Sequence, residues 1–323
     1  MSKRDRSALG PRRSEDDRAF RLRRSILITP GDNESKVRKA AASEADVCLI
    51  EWEDGVHETH KQLARDVTTQ VFTDTDWQHR ERVVRVNSAD SEFFRDDVAS
   101  AVRAGADAIM LPKVYVADDV RAASKVVAEE EAAAGLAPGS VLLWTMIETA
   151  QALVNVAAIA SSDERLTAIM FGGGDLGADL KLKRVSLGAN RLLGPIRYEY
   201  LYGYGATVAA ARAAKIDPVN MGYTTYEDLE GTRRDAEFSA QFGFSGGLAL
   251  SVRQLAEINE AFSPSPSDIA WALEVMKDFD SANVEDRTVV VVDREMTDGP
   301  YVRSARQVLR LRDAIAQRSG TPA

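Results

Sequence analysis

Eight short apolar runs punctuate this chain, each followed by a more polar stretch. They read SILITP (25–30), DVCLIEW (46–52), RVVRVN (82–87) and DAIMLP (107–112), then VLLWTMIE (141–148), LTAIMFGG (166–173), IDPVNM (216–221) and GGLALS (246–251). Most of the runs are continuously apolar rather than alternating, the pattern of strands buried on both faces in a parallel sheet. Helical spacing falls between them, over 33–43, 94–104, 117–134, 150–160 and 198–215. Eight strand–helix units predict an α/β fold of the (β/α)8 TIM-barrel class, with an open doubly wound sheet as the alternative.

Beyond residue 262 the rhythm changes. SPSPSDIAWALEVMKDF predicts a helix capped by Ser or Asp after prolines. RTVVVVDREMT predicts a hairpin turning near Asp293–Arg294, and a last helix starts near Pro300. The chain therefore divides into a charged tail (1–23), a barrel domain (24–262) and a helix–hairpin–helix extension (263–323).

Composition narrows the function classes. The 323 residues are 45% hydrophobic and 28% charged, ordinary for a globular protein, and the net charge of −9 argues against a nucleic-acid binder. No apolar run approaches the roughly 18 residues of a membrane span. The N-terminal stretch mixes arginines with acids and has no apolar signal core, which points to a cytoplasmic protein. A single cysteine, Cys48, rules out an internal disulfide. His57, His60 and His79 form no Cys/His cluster, so zinc is disfavoured and the three read as surface residues.

Active sites of such barrels lie at the C-terminal ends of the strands. Polar groups recur there: Glu51 and Glu53 after strand two, Arg85 and Asn87 on strand three, Lys113 after strand four. Glu148 ends strand five, Asp175 follows strand six and Asn220 ends strand seven. Glu51 and Glu53 share one side of the extended chain, either on the rim of a pocket or in a salt-bridged strand end. Glu148 and Asp175, on consecutive strands, place two carboxylates side by side, a common way to hold Mg²⁺ with substrate oxygens and water. Arg85 within an apolar strand needs a partner. It serves either as half of a structural ion pair or as a fixed charge for an oxyanion.

GGGDLG (172–177) matches G-x-G-x-x-G, but it follows the sixth strand and carries an acid inside the loop, so a dinucleotide site is rejected. Gly173 and Gly174 instead let backbone N–H groups approach a substrate carboxylate. Lys36, Arg38 and Lys39, with Arg23 and Arg24, form either a phosphate-binding patch at a helix start or a solvated basic face. Asp298 is either an N-cap ahead of Pro300 or a functional acid.

RSILITPGDNESKVRKAAASEADVCLIEWEDGV, VVRVN, GADAIMLPKV, TMIETAQALVN and AIMFGGGDLGADL resemble the aldolase/citrate lyase family. The likeness is to citrate lyase beta-subunit-like proteins and malyl- or citramalyl-CoA lyases, and covers about 24–312. It implies a barrel with a C-terminal extension, assembled as trimers or hexamers, and Mg²⁺-dependent chemistry between an acyl-CoA and a keto acid. By resemblance Glu148 and Asp175 are the metal ligands and Arg85 steadies the thioester or enolate oxygen. Asp298 is the acid/base supplied by a neighbouring subunit, and the lysines after strand one meet the CoA phosphates. Glu53 joins Arg85 and Asp298 in the expected catalytic set; Arg24, Lys36, Lys39, Asn87, Gly173 and Gly174 form the expected substrate contacts. Glu51 stands where the family usually has Asp, Asn220 where it usually has Asp, and LALSV replaces its usual Lys, His and Pro near strand eight. Carbon–carbon cleavage or formation is the expected activity; a malyl-type thioester hydrolase and a non-catalytic binding or assembly subunit are the alternatives.

Overall fold

The computed structural model describes residues 20–189, 197–284, 290–292, 295–297 and 299–319. The apolar runs pair side by side as β1 (Ser25–Pro30), β2 (Val47–Glu51), β3 (Glu81–Arg85), β4 (Ala108–Leu111), β5 (Leu142–Ile147), β6 (Leu166–Phe171), β7 (Asp217–Asn220) and β8 (Gly246–Ala249). Every neighbouring pair is parallel, and β8 pairs with β1, so the sheet closes in sequence order into a barrel. The TIM-barrel expectation holds, and the open-sheet alternative falls.

Around the barrel run α1 (Glu34–Ala41), α2 (Lys61–Asp74), α3 (Phe94–Ala104), α4 (Ala117–Ala133), α5 (Ala150–Val154), α6 (Val156–Ala160), α7 (Gly173–Asp179), α8 (Leu201–Ala214), α9 (Leu229–Phe242) and α10 (Leu255–Ala261). Short-range chemistry sets their ends. The Asn33 side chain caps α1 by accepting the Lys36 N–H, and Asp228 caps α9 by accepting the Gly231 N–H. Gly105 and Gly243 end α3 and α9 in the left-handed conformation, at φ +81° and +103°. The helix expected over 150–160 breaks at Asn155 into α5 and α6.

Two apolar layers follow from the two-residue period of the strands. Ile26, Val47, Leu49, Val83, Met110, Trp144 and Met170 fill the barrel interior. Their neighbours Leu27, Cys48, Ile50, Val84, Ile109, Leu143 and Ile169 point outward against the helices. The inward phase decides what the strand ends present. Glu51 continues Val47 and Leu49, Arg85 continues Val83, and Glu148 continues Trp144 and Met146.

The base of the barrel is sealed by Arg23. Its guanidinium meets both Glu81 oxygens at 2.7 Å, Asp217 at 2.9 Å and the Thr167 carbonyl at 3.0 Å. It also stacks over Trp144, 4.7 Å from the ring centroid. Burial alone would cost several kcal/mol, so this saturated pairing is what makes the charge tolerable.

After the barrel, α11 (Pro266–Val284) and α12 (Gly299–Ser319) pack on each other through Ala272, Val275, Val302 and Ala305. Strands β9 (Val290–Val292) and β10 (Glu295–Thr297) pair antiparallel between them, as the hairpin pattern predicts. The far end of α12 reaches the barrel's base. There Arg318 donates to the Glu44 and Ala45 carbonyls at 3.2 and 2.9 Å, and Arg310 lies over the Phe20 ring.

Candidate active site

At the opposite mouth, the inward phase of the strands gathers charge. Glu51 and Arg85 are register partners on β2 and β3, and the Arg85 Nε–H donates to Glu51 Oε2. The other Glu51 oxygen accepts the Glu53 N–H at 2.6 Å. Only glycine fits at 55, because a Cβ there would lie 2.7 Å from Glu51 Cγ. Glu53 Oε2 lies 3.5 Å from Arg85 Nη2, while Glu53 Oε1 lies 2.5 Å from Lys113 Nζ. Lys61, buried behind this loop, donates to the Trp52 and Glu53 carbonyls at 2.7 and 2.8 Å.

Glu148 is 1% exposed and accepts the Lys113 N–H on Oε1 at 2.6 Å. Its second oxygen faces Gly172, where a Cβ would lie 2.6 Å from Glu148 Cβ and 3.1 Å from Oε2. Burial pushes the Glu148 carboxyl up to about 7, and the carboxylates of Asp175 and Glu53 add to the rise against the Lys113 N–H and Arg85. Burial likewise raises Glu51, with Arg85 opposing it. Burial works against the Arg85 charge, but Glu51, Glu53 and Glu148 outweigh it and hold the guanidinium above its ordinary range.

This donor set fits a hard divalent cation. Glu148 is a buried carboxylate held in place from one side, and the exposed Asp175, in the first turn of α7, is near enough to repel it electrostatically. Among the described residues no group of three or more His, Cys, Asp or Glu forms a metal cage. Two carboxylates leave most coordination positions to water and substrate oxygens, which suits Mg²⁺ and not structural zinc.

Several expected contacts lie elsewhere. Arg24 precedes β1 and sits at the base, away from the rim; its guanidinium meets both Asp46 oxygens at 2.9 and 3.0 Å. A residue at the start of a strand cannot share a site built at the strand ends. Asn87 is buried, and its amide donates to the Trp52 carbonyl at 3.1 Å and to Asp97 Oδ2 at 2.6 Å, so it fastens the acidic loop to α3. Of the basic residues on α1, Arg38 is tied to Glu34 at 2.8 Å and Asp74 at 2.7 Å, while Lys36 and Lys39 stay exposed.

Gly173 is packed, its missing Cβ 2.2 Å from Met221 Sδ and its carbonyl accepting the Tyr200 hydroxyl at 2.6 Å. Gly174 has open space around it. Asp298 lies outside the described residues. A cleft of about 1090 Å³ opens at the base beside α12, but Arg21 and Arg82 within it are already paired with Glu81 and Asp107. Lys61 is not read from the sequence, and Lys113 is read only as a polar strand end with no role assigned. The Pro–Lys step that ends the fourth apolar run was the available signal for Lys113.

The HpcH/HpaI aldolase/citrate lyase family model matches residues 24–251. The chain belongs to this family. Within it, a (3S)-malyl-CoA thioesterase of Cereibacter sphaeroides is 34% identical over 293 residues, covering 91% of this chain and 95% of its own. The citrate lyase subunit beta of Escherichia coli is 31% identical over 296 residues, covering 92% and 95%. Among solved structures, the protein CitE from Mycobacterium tuberculosis in complex with magnesium, acetoacetate and coenzyme A is 26% identical. It superposes with a TM-score of 0.70 over 88% of this chain and 96% of that one. A citrate lyase from Burkholderia xenovorans, 20% identical, matches in fold over 96% of both chains at a TM-score of 0.79. No helix among the described residues is long and apolar enough to cross a membrane.

Proposed function

We propose that this chain is a Mg²⁺-dependent enzyme acting on a malyl- or citramalyl-type β-hydroxyacyl-CoA thioester, breaking or forming the bond between an acyl-CoA and a keto acid. One observation carries the reading: at one mouth of the barrel the buried Glu148, within electrostatic reach of Asp175, faces an Arg85 guanidinium that Glu51 holds through Nε. A family relative in complex with magnesium, acetoacetate and coenzyme A supports the choice of ligands.

In this reading Glu148 and Asp175 hold Mg²⁺, which when bound supplies a Lewis acid for the keto-acid oxygens. Arg85 offers its outer Nη groups to the thioester oxygen as negative charge develops there. Glu51 fixes the guanidinium beforehand, so little reorganisation accompanies the reaction, and such a donor contributes about 10²–10³ in rate. Asp298, brought by the extension of a neighbouring copy in a trimer or hexamer, moves the proton at the thioester α-carbon. Lys36 and Lys39 face the anionic end of CoA.

A hydrolytic reading is the second choice. The malyl-CoA thioesterases are 34–35% identical to this chain, against 30–31% for the citrate lyase beta subunits. Arg85 would then steady the oxyanion formed when water adds to the thioester carbonyl.

The products separate the two. With (3S)-malyl-CoA and Mg²⁺, cleavage yields glyoxylate and acetyl-CoA without free thiol, whereas hydrolysis consumes water and yields malate and CoA thiol. Trapping glyoxylate and titrating thiol in one assay decides between them. Turnover of neither malyl- nor citramalyl-CoA sinks the proposal.

A further inference from the structure

Lys113 engages the rim with both its ends. Its backbone is left-handed, φ +50°, a conformation that residues with a β-carbon seldom adopt. The N–H donates to Glu148 Oε1 at 2.6 Å, while the ammonium lies 2.5 Å from Glu53 Oε1 and 3.3 Å from both Asp54 oxygens. Across the site, Arg85 Nε is taken by Glu51. Among the described residues, Arg85 Nη1 donates to the Met146 thioether sulfur alone, at 3.4 Å, a weak acceptor. Arg85 Nη2 is 3.5 Å from Glu53 Oε2, longer than a good hydrogen bond. The guanidinium is therefore held firmly at Nε and weakly at its two Nη groups, and the carboxylate nearest those groups is also drawn by Lys113.

We infer that Lys113 is a positioning residue: by binding Glu53 it keeps that carboxylate from closing on Arg85 and leaves the outer guanidinium edge open to a substrate oxyanion. Glu53 is buried, so without the ammonium it must find another cation, and Arg85 is the nearest. A two-point carboxylate–guanidinium pair is strong enough to compete with a substrate oxygen. The catalytic consequence rests on the function proposed above, whereas the pairing rests on geometry alone.

Crystal structures and kinetics of the wild type, Lys113→Met, Lys113→Arg and the double variant Lys113→Met/Glu53→Gln test this. In Lys113→Met, Glu53 should move to about 3 Å from Arg85 Nη2. Its kcat on the thioester that the wild type turns over should fall about 30- to 100-fold with KM nearly unchanged, the mark of an interaction made only in the transition state. Lys113→Arg should recover most of that loss. The double variant should regain about tenfold over Lys113→Met, because a neutral amide cannot form the quenching pair. Should Lys113→Met fail to fold, Lys113→Gln carries the same test. A Glu53 that stays 3.5 Å or more from Arg85, a kcat within about twofold of wild type, or a double variant no better than the single one overturns the inference. If the wild type turns over no thioester, the proposed function fails on its own, and the crystallographic comparison alone decides the role of Lys113.

Discussion

At the scale of single residues, the mouth of the barrel sets charge against burial. Arg85 is held by Glu51 through Nε while its Nη groups remain poorly satisfied. A lysine in its place keeps the charge but cannot hold Glu51 and present two further donors at once. Arg85→Lys should lower kcat about 10²- to 10³-fold and shift the melting temperature by only a few degrees. Comparable losses of stability and turnover would show that the pair is merely structural.

Glu148 gives a pH signature. Its carboxyl sits at about 7 in the folded chain against an ordinary 4.5. The native state therefore holds the proton more tightly than the unfolded one, and in chelator stability should decline as pH rises across that window, by at most about 3 kcal/mol. Mg²⁺ takes the place of the proton, so the rise in melting temperature on adding Mg²⁺ should be larger at pH 8 than at pH 5.5. Equal rises at both would remove Glu148 as a ligand.

Glu51, Arg85, Glu148 and Asp175 could be read from the sequence because each is polar at the end of an apolar run. Arg24 misled because it borders a strand on the other side, and only chain direction separates base from rim. Lys113 showed its place at a strand end but not its partners, because they depend on a left-handed backbone and on Glu53, a residue distant in the chain.

At the scale of the element, β3 shows how one strand divides its labour. Glu81 and Arg85 lie on the same inward side, separated by one turn of the pleat above and below Val83, yet they serve opposite mouths. Glu81 answers Arg23 at the base. Glu81→Gln leaves that buried guanidinium short of charge, so it should cost about 3–5 kcal/mol in urea unfolding while kcat stays within about threefold. A large fall in kcat with intact stability would couple the base to the rim.

Most strands were legible because burial on both faces leaves nearly continuous apolar runs; β3 and β7, which carry charged residues, were read from their place in the repeating order. Helices were harder. The segment 150–160 carries one apolar pattern, but Asn155 turns its amide back to the Gln151 carbonyl and splits it. α7 is brief for a related reason: Gly172 before it is packed against Glu148 and Gly173 at its start against Met221, and the glycines of its first turn disfavour helix.

At the scale of the whole molecule, the extension is a separate body of packing. α11 and α12 share a small apolar seam of their own, and the far end of α12 grips the base, not the rim. If Asp298 serves a neighbour's mouth, two inactive variants should complement each other. Mixing Asp298→Ala with Arg85→Lys under conditions that exchange subunits should restore up to about a quarter of wild-type turnover, since about that share of mouths receives both intact residues. No recovery after verified exchange would place Asp298 in its own chain's chemistry or outside it.

The plug at the base has a consequence for traffic. With Arg23 wedged against Glu81, Asp217 and the Trp144 ring, beneath an interior filled by apolar side chains, the barrel is closed at its base and is no conduit. Everything that enters by the rim must leave by it. Under the function proposed above, a bulky thioester and a small acid would then share one doorway, and whichever sat deeper would wait for the other to depart.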